Sequence, residues 1–154
     1  MHIVVLLAAL LSHPFEFRRT ARDANAIAAL SDLARKGDDQ KKEIEVAAFL
    51  VRESNGDLSC LLWPISEEQL IARFKGQFPP GVVAVAHTHP SWNPKPTRWD
   101  IDESRRTGLP IYVLTRYDVY VIDPHSGESI HVIERRYWTP RTSTRCECQA
   151  NWKD

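Results

Sequence analysis

The feature that most constrains the fold of this chain is a short apolar run that ends in two histidines. Residues 82–86 are apolar without interruption and rich in valine, and two prolines and a glycine precede them at 79–81. This pattern is typical of a strand that is buried on both faces. His87 and His89 follow at positions i and i+2, so in a strand their side chains lie on the same face. The sequence therefore predicts a buried strand that presents two imidazoles at its end.

A carboxylate follows this strand after a polar loop that prolines interrupt. Residues 91–96 read Ser-Trp-Asn-Pro-Lys-Pro, and Thr97 with Asp100 three residues later has the form of a capping signature at the start of a helix. Asp100 would then lie in the first helical turn, where the backbone fixes its orientation. Two imidazoles and one carboxylate leave the fourth tetrahedral position of Zn²⁺ to water, which is the pattern of a catalytic zinc site. The predicted zinc ligands are His87, His89 and Asp100.

Each of these residues also has an ordinary explanation. A single histidine at a strand end is usually a surface residue or a hydrogen-bonded core residue, and Thr97 with Asp100 alone would be no more than a helix cap. The metal interpretation is favoured because the residues fall in order on one strand-loop-helix unit. The remaining histidines have no comparable neighbours in the sequence and are interpreted as ordinary: His2, His13, His125 and His131.

Hydrolysis at such a site needs a general base, and two glutamates elsewhere in the chain are candidates. Glu43 and Glu45 lie just before a second apolar run at 46–51. A carboxylate at the entrance to a buried strand is partly desolvated, which raises its pKa toward the range useful for proton transfer. Residues 41–45 also fit a solvated charge run. Spacing alone does not choose between the two glutamates.

The order of these residues resembles the motif of the JAMM (Jab/MPN) zinc metalloproteases. That motif is a glutamate, then His-Thr-His-Pro, then seven residues between His89 and a hydroxyl residue at 97, then two more before Asp100. The resemblance extends from about residue 21 to 123. It is specific because several separated elements match together.

The resemblance assigns a role to each residue that matches the motif. The family's Glu-x-Cys-Gly-Leu-Leu pattern aligns best with residues 45–50, which favours Glu45 as the general acid/base, although the Cys-Gly pair is absent here. It implies that His87, His89 and Asp100 bind zinc. Thr97 stands where the family usually has serine, whose hydroxyl stabilises the oxyanion. Because threonine keeps the hydroxyl and is only stiffer at χ1, we expect retained activity.

We expect one α/β domain with a curved mixed β-sheet flanked by helices, the deaminase-like layout that the resemblance implies. At 154 residues the chain is long enough for one substantial core and too short for two ordinary domains. The expected domain spans 1–138, with its core at about 21–123, and a polar tail follows at 139–154. Helices are predicted at 21–36, 67–75 and 100–107, and strands at 44–52, 57–63, 82–89, 111–115, 117–122 and 129–134.

Charge and composition exclude some partners. The formal net charge is zero, with both signs interspersed, so the chain carries no footprint for nucleic acid. The apolar run at residues 3–11 is too short to span a membrane and is expected to be a buried first element of a cytoplasmic protein. Secretion is the alternative, because the run has the length of a signal-peptide core. Cys60 is expected to be buried, and Cys146 with Cys148 is assigned no role, since three cysteines do not make a secreted disulfide framework.

The resemblance implies that the substrate is a peptide or isopeptide bond after the C-terminal tail of a ubiquitin-like modifier, as in a stand-alone prokaryotic-type member. Ubiquitin-like proteins or their conjugates would then be the partners. Trp92 and Trp99 either wall the groove for that tail or pack the loop against the helix. Two alternatives stay open. One is a zinc hydrolase of other peptides, secreted and associated with the cell wall or a toxin, and the other is a binding scaffold without catalysis.

Overall fold

The domain is built on one mixed sheet of six strands, seen in a computed structural model that describes residues 16–37, 45–64, 74, 76–134 and 147–150. The strands are β1 (Ala47–Arg52), β2 (Leu58–Leu62), β3 (Val82–Thr88), β4 (Ile111–Leu114), β5 (Val119–Ile122) and β6 (Ser129–Ile133). Their spatial order is β2-β1-β3-β4-β5-β6. The β3 and β4 strands are parallel, and every other neighbouring pair is antiparallel.

Two α-helices cover opposite faces of this sheet. A short 3-10 helix, Phe17–Arg22, leads into α1 (Ala24–Lys36), and α2 (Arg98–Thr107) connects β3 to β4. The alanines and leucines of α1 form one core with β1, β2 and β3, whereas α2 contributes Ile101 to a second apolar cluster on the other face. No helix in the described ranges has the length and apolar composition that crossing a membrane needs.

The structure confirms an α/β domain with a mixed sheet, and most elements lie within a few residues of their predicted bounds. The β3 strand is buried over its last five residues, as its continuous apolar sequence predicts. The first helix begins later than expected, at Ala24, because the Asp23 side chain caps it by accepting from the backbone of Asn25 and Ala26. The second begins earlier, at Arg98, because Thr97 is its N-cap. The predicted helix at 67–75 and the apolar run at 3–11 lie outside the residues that the structure describes, apart from Phe74.

The C-terminal segment 147–150 contacts the sheet, and a disulfide joins Cys148 to Cys60 on β2. The backbone N–H of Cys148 donates to the buried carboxylate of Asp32 on α1 at 2.8 Å. Gln149 forms an isolated parallel bridge with Leu61. Cys60 is buried as predicted, and Cys148, to which the sequence assigns no role, forms a disulfide with it. The two cysteines are 88 residues apart in sequence, so only the three-dimensional fold brings them together.

Candidate metal centre

Three potential metal ligands converge where β3 ends and α2 begins. The Nε2 atoms of His87 and His89 are 2.9 Å apart, and the Asp100 carboxylate oxygens lie 3.1 Å from His87 Nε2 and 3.5 Å from His89 Nε2. One ligand atom from each residue falls within 4.8 Å of the others. Two nitrogens on a tetrahedral zinc ion are about 3.3 Å apart, so the observed spacing suits a shared ion. This group of residues can hold a metal ion, as the sequence predicted.

The Asp100 carboxylate is held in place by the start of its own helix. Its Oδ2 accepts from the Thr97 backbone N–H at 2.6 Å and from the Thr97 hydroxyl at 2.7 Å, while Oδ1 faces His87. Burial alone would raise the pKa of Asp100. The hydrogen bonds from His87, His89 and Thr97 outweigh that effect and hold this pKa well below its ordinary value. The carboxylate is therefore ionised and oriented, as a metal ligand must be.

His89 is 2% exposed and is fixed from its other side by the loop after β3. Its Nδ1 lies 3.1 Å from the carbonyl oxygens of both Asn93 and Lys95. Since carbonyls only accept, Nδ1 carries a proton. When the ring is neutral, Nε2 is left with the lone pair that a metal ligand needs; when the ring is charged, Nε2–H donates to Asp100. Burial opposes the charged ring, but the hydrogen bond and charge of Asp100 and the charge of Glu45 outweigh it and raise the pKa of His89.

Glu45 lies beside the same group because β1 and β3 are paired. Ala47 lies opposite His87, and the Thr88 backbone N–H donates to the Val46 carbonyl at 2.9 Å. The Val46 N–H in turn donates to the Thr88 hydroxyl at 3.0 Å. Glu45 lies two residues before Ala47, at the entrance to β1, and therefore close to the end of β3 that carries the imidazoles. Its charge acts on His89, which agrees with this position. Glu43, the other candidate, lies outside the described residues.

The Thr97 hydroxyl contacts Asp100 and forms half of a capping box with it. The same hydroxyl therefore caps the helix and orients one potential metal ligand. Its predicted role at an oxyanion stays a prediction.

Two tryptophans stand exposed around the site. Trp92, in the loop after β3, is 64% exposed, and Trp99, which precedes Asp100 on α2, is 84% exposed. Neither ring is therefore buried by packing of the loop against the helix. Both rings are therefore accessible to solvent, on the loop and the helix next to the candidate ligands.

The sequence interpretation missed the backbone acceptors of His89 and the hydroxyl of Thr88. No side-chain motif marks a carbonyl that accepts a hydrogen bond, and Thr88 stands out only once its contact with Val46 is seen.

Comparison with protein-family models finds no model that matches the chain, and comparison with curated proteins finds no match either. The likeness to the JAMM family therefore depends on the motif residues themselves.

Proposed function

We propose that this protein is a zinc-dependent hydrolase of amide bonds, of the kind that the JAMM resemblance implies. The observation that carries the proposal is the convergence of His87, His89 and Asp100 with Glu45 beside them. Two imidazole nitrogens and one carboxylate oxygen form a donor set that zinc accepts, with room for one more ligand. The ionised Asp100 and the Nδ1–H tautomer of neutral His89 both support binding of a divalent ion.

A zinc ion bound by these three residues would supply a Lewis acid that polarises the scissile carbonyl and acidifies a water molecule. Glu45 removes a proton from the attacking water as its oxygen adds to the carbonyl carbon. It then passes that proton to the leaving nitrogen as the carbon–nitrogen bond breaks, which yields a carboxylic acid and an amine. The Thr97 hydroxyl donates to Asp100, so it would have to give up that hydrogen bond and donate to the oxyanion in order to stabilise the oxyanion.

A ubiquitin-like C-terminal tail is the first candidate substrate. The resemblance motivates it, and the exposed rings of Trp92 and Trp99 support contact with an extended peptide beside the metal. The bond hydrolysed would be a peptide bond in a precursor or an isopeptide bond in a conjugate.

A peptide in an oxidising compartment is the second candidate substrate. The Cys60–Cys148 disulfide favours it, because disulfides persist in secreted and periplasmic proteins and are rare in the cytosol. The apolar run at residues 3–11, which has the length of a signal-peptide core, points the same way. The substrate would then be a peptide of the cell envelope or a secreted peptide.

Cleavage assays with the wild type and Glu45→Gln test the proposed function. Substrates are ubiquitin-like fusions, isopeptide conjugates and cell-wall peptides, each with and without a chelator. We expect chelator-sensitive cleavage in one class, and a loss of about 10²–10⁴-fold in Glu45→Gln with its zinc content unchanged. Glu128→Gln, at an exposed glutamate in the turn before β6, is the matched control and should keep full activity. Cleavage that survives both the chelator and Glu45→Gln would refute the proposal.

A further inference from the structure

The loop that orients His89 contains a proline directly after each of its two acceptors. Asn93 precedes Pro94, and Lys95 precedes Pro96. The carbonyl oxygens of Asn93 and Lys95 both lie 3.1 Å from His89 Nδ1. Each acceptor that holds the imidazole is thus the residue before a proline.

A proline restricts the residue before it. The ring Cδ clashes with the α conformation of that residue, which limits ψ to extended values, roughly +120° to +160°. Since ψ is the rotation that directs the carbonyl, the two prolines narrow the directions in which these oxygens can point. The turn that begins the loop is closed by the Asn93 backbone N–H, which donates to the Pro90 carbonyl at 2.9 Å.

The orientation of His89 therefore depends on the covalent rings of Pro94 and Pro96. The acceptors are backbone atoms, so no side chain of the loop has to be ordered before His89 is held. A ring whose Nδ1 proton has two fixed acceptors keeps Nε2 directed at His87 and Asp100. A loop without the prolines could turn either carbonyl away, and His89 would then sample other orientations and the other tautomer.

We propose that Pro94 and Pro96 are positioning residues that set the metal affinity of the site by fixing the two carbonyls that hold His89. The inference rests on the proposed metal site, but it concerns the geometry of His89 and does not depend on the substrate. Loss of an outer hydrogen bond to a ligand usually weakens metal binding by about 10–100-fold.

The test measures zinc affinity by competition with a chromophoric chelator in the wild type, Pro94→Ala, Pro96→Ala and the double variant. We expect each single variant to bind more weakly than the wild type and the double variant to bind about 10–100-fold more weakly. Ser91→Ala, at an exposed position at the start of the same loop, should keep wild-type affinity. Pro80→Ala, at an exposed proline in the turn before β3, controls for the general effect of losing a loop proline.

A second readout uses the metal-free protein. Side-chain nitrogen NMR of the neutral His89 ring should show the Nδ1–H tautomer in the wild type and a mixture in the double variant. A double variant that keeps both the single tautomer and the wild-type zinc affinity would overturn the inference, and a wild type that binds no zinc would overturn it together with the proposed function. Weakened binding in the variants of a protein that cleaves none of the substrates would refute the proposed hydrolase alone.

Discussion

The Cys60–Cys148 disulfide gives a prediction whose size follows from the chain. It closes a loop across a sequence separation of 88 residues. In the chain-entropy model, closing such a loop lowers the conformational entropy of the unfolded chain by about 15 cal/mol/K. At 25 °C this contributes about 4–5 kcal/mol to the free energy of unfolding. For a domain of this size each kcal/mol shifts the melting temperature by about 2–4 °C. Removing the disulfide should therefore lower the melting temperature by about 8–20 °C.

The assay is thermal unfolding followed by circular dichroism, for the oxidised wild type, the reduced wild type and Cys60→Ala. Changing Cys60 is preferable to changing Cys148, because Cys146 lies two residues away and could pair with Cys60 in its place. Cys146→Ala is the matched control and should melt with the wild type. Zinc affinity should be unchanged in Cys60→Ala, because the proposed ligands lie at the end of β3 and on α2, whereas Cys60 is on β2. Equal melting of the oxidised and reduced wild type, or a free Cys60 thiol in the intact oxidised protein, would refute the reasoning.

Further predictions concern the site itself. Thr97→Val should lower the free energy of unfolding, measured with urea, by about 1 kcal/mol because it removes the helix cap. Thr97→Ser keeps a capping hydroxyl and should unfold with nearly the wild-type free energy, and equal stability of Thr97→Val and the wild type would count against this. Zinc affinity should fall as pH drops through the raised pKa of His89, since the metal takes only the neutral ring. In the metal-free protein the stability of the fold follows the opposite trend with pH. The charged His89 ring stabilises the fold at pH values below its unfolded-state pKa, and this stabilisation is lost as the pH rises through its folded-state pKa. Zinc titrations and urea unfolding between about pH 5 and 8 measure both effects, and an affinity independent of pH would contradict the first. Trp99→Ala should change stability by less than about 0.5 kcal/mol because the ring is exposed, yet raise KM in cleavage assays; an unchanged KM would exclude this ring from substrate contact.

The sequence predicts the convergence of His87, His89 and Asp100 well because the signals for it are local. A continuous apolar run identifies β3, the i and i+2 spacing puts both imidazoles together, and Thr97 with Asp100 marks the helix start. Each of these signals depends on neighbours within a few residues, where backbone geometry leaves few alternatives.

The parts that the sequence left open all depend on contacts between distant segments. The choice between Glu43 and Glu45 depends on the register of β1 against β3, which places Ala47 opposite His87. Register is fixed by the packing of whole strands and cannot be deduced from two glutamates in one charged segment. The disulfide was missed for a related reason, because cysteine spacing alone does not define connectivity.

The central claim is that His87, His89 and Asp100 bind one divalent ion. Elemental analysis of the purified protein after incubation with zinc and gel filtration tests it most directly, with His89→Ala as the variant and His125→Ala, at an exposed histidine in the turn before β6, as the control. The account predicts close to one zinc ion per chain in the wild type and in His125→Ala, and a large loss in His89→Ala. A wild type that retains no zinc, or a His89→Ala protein that retains as much as the wild type, would contradict it.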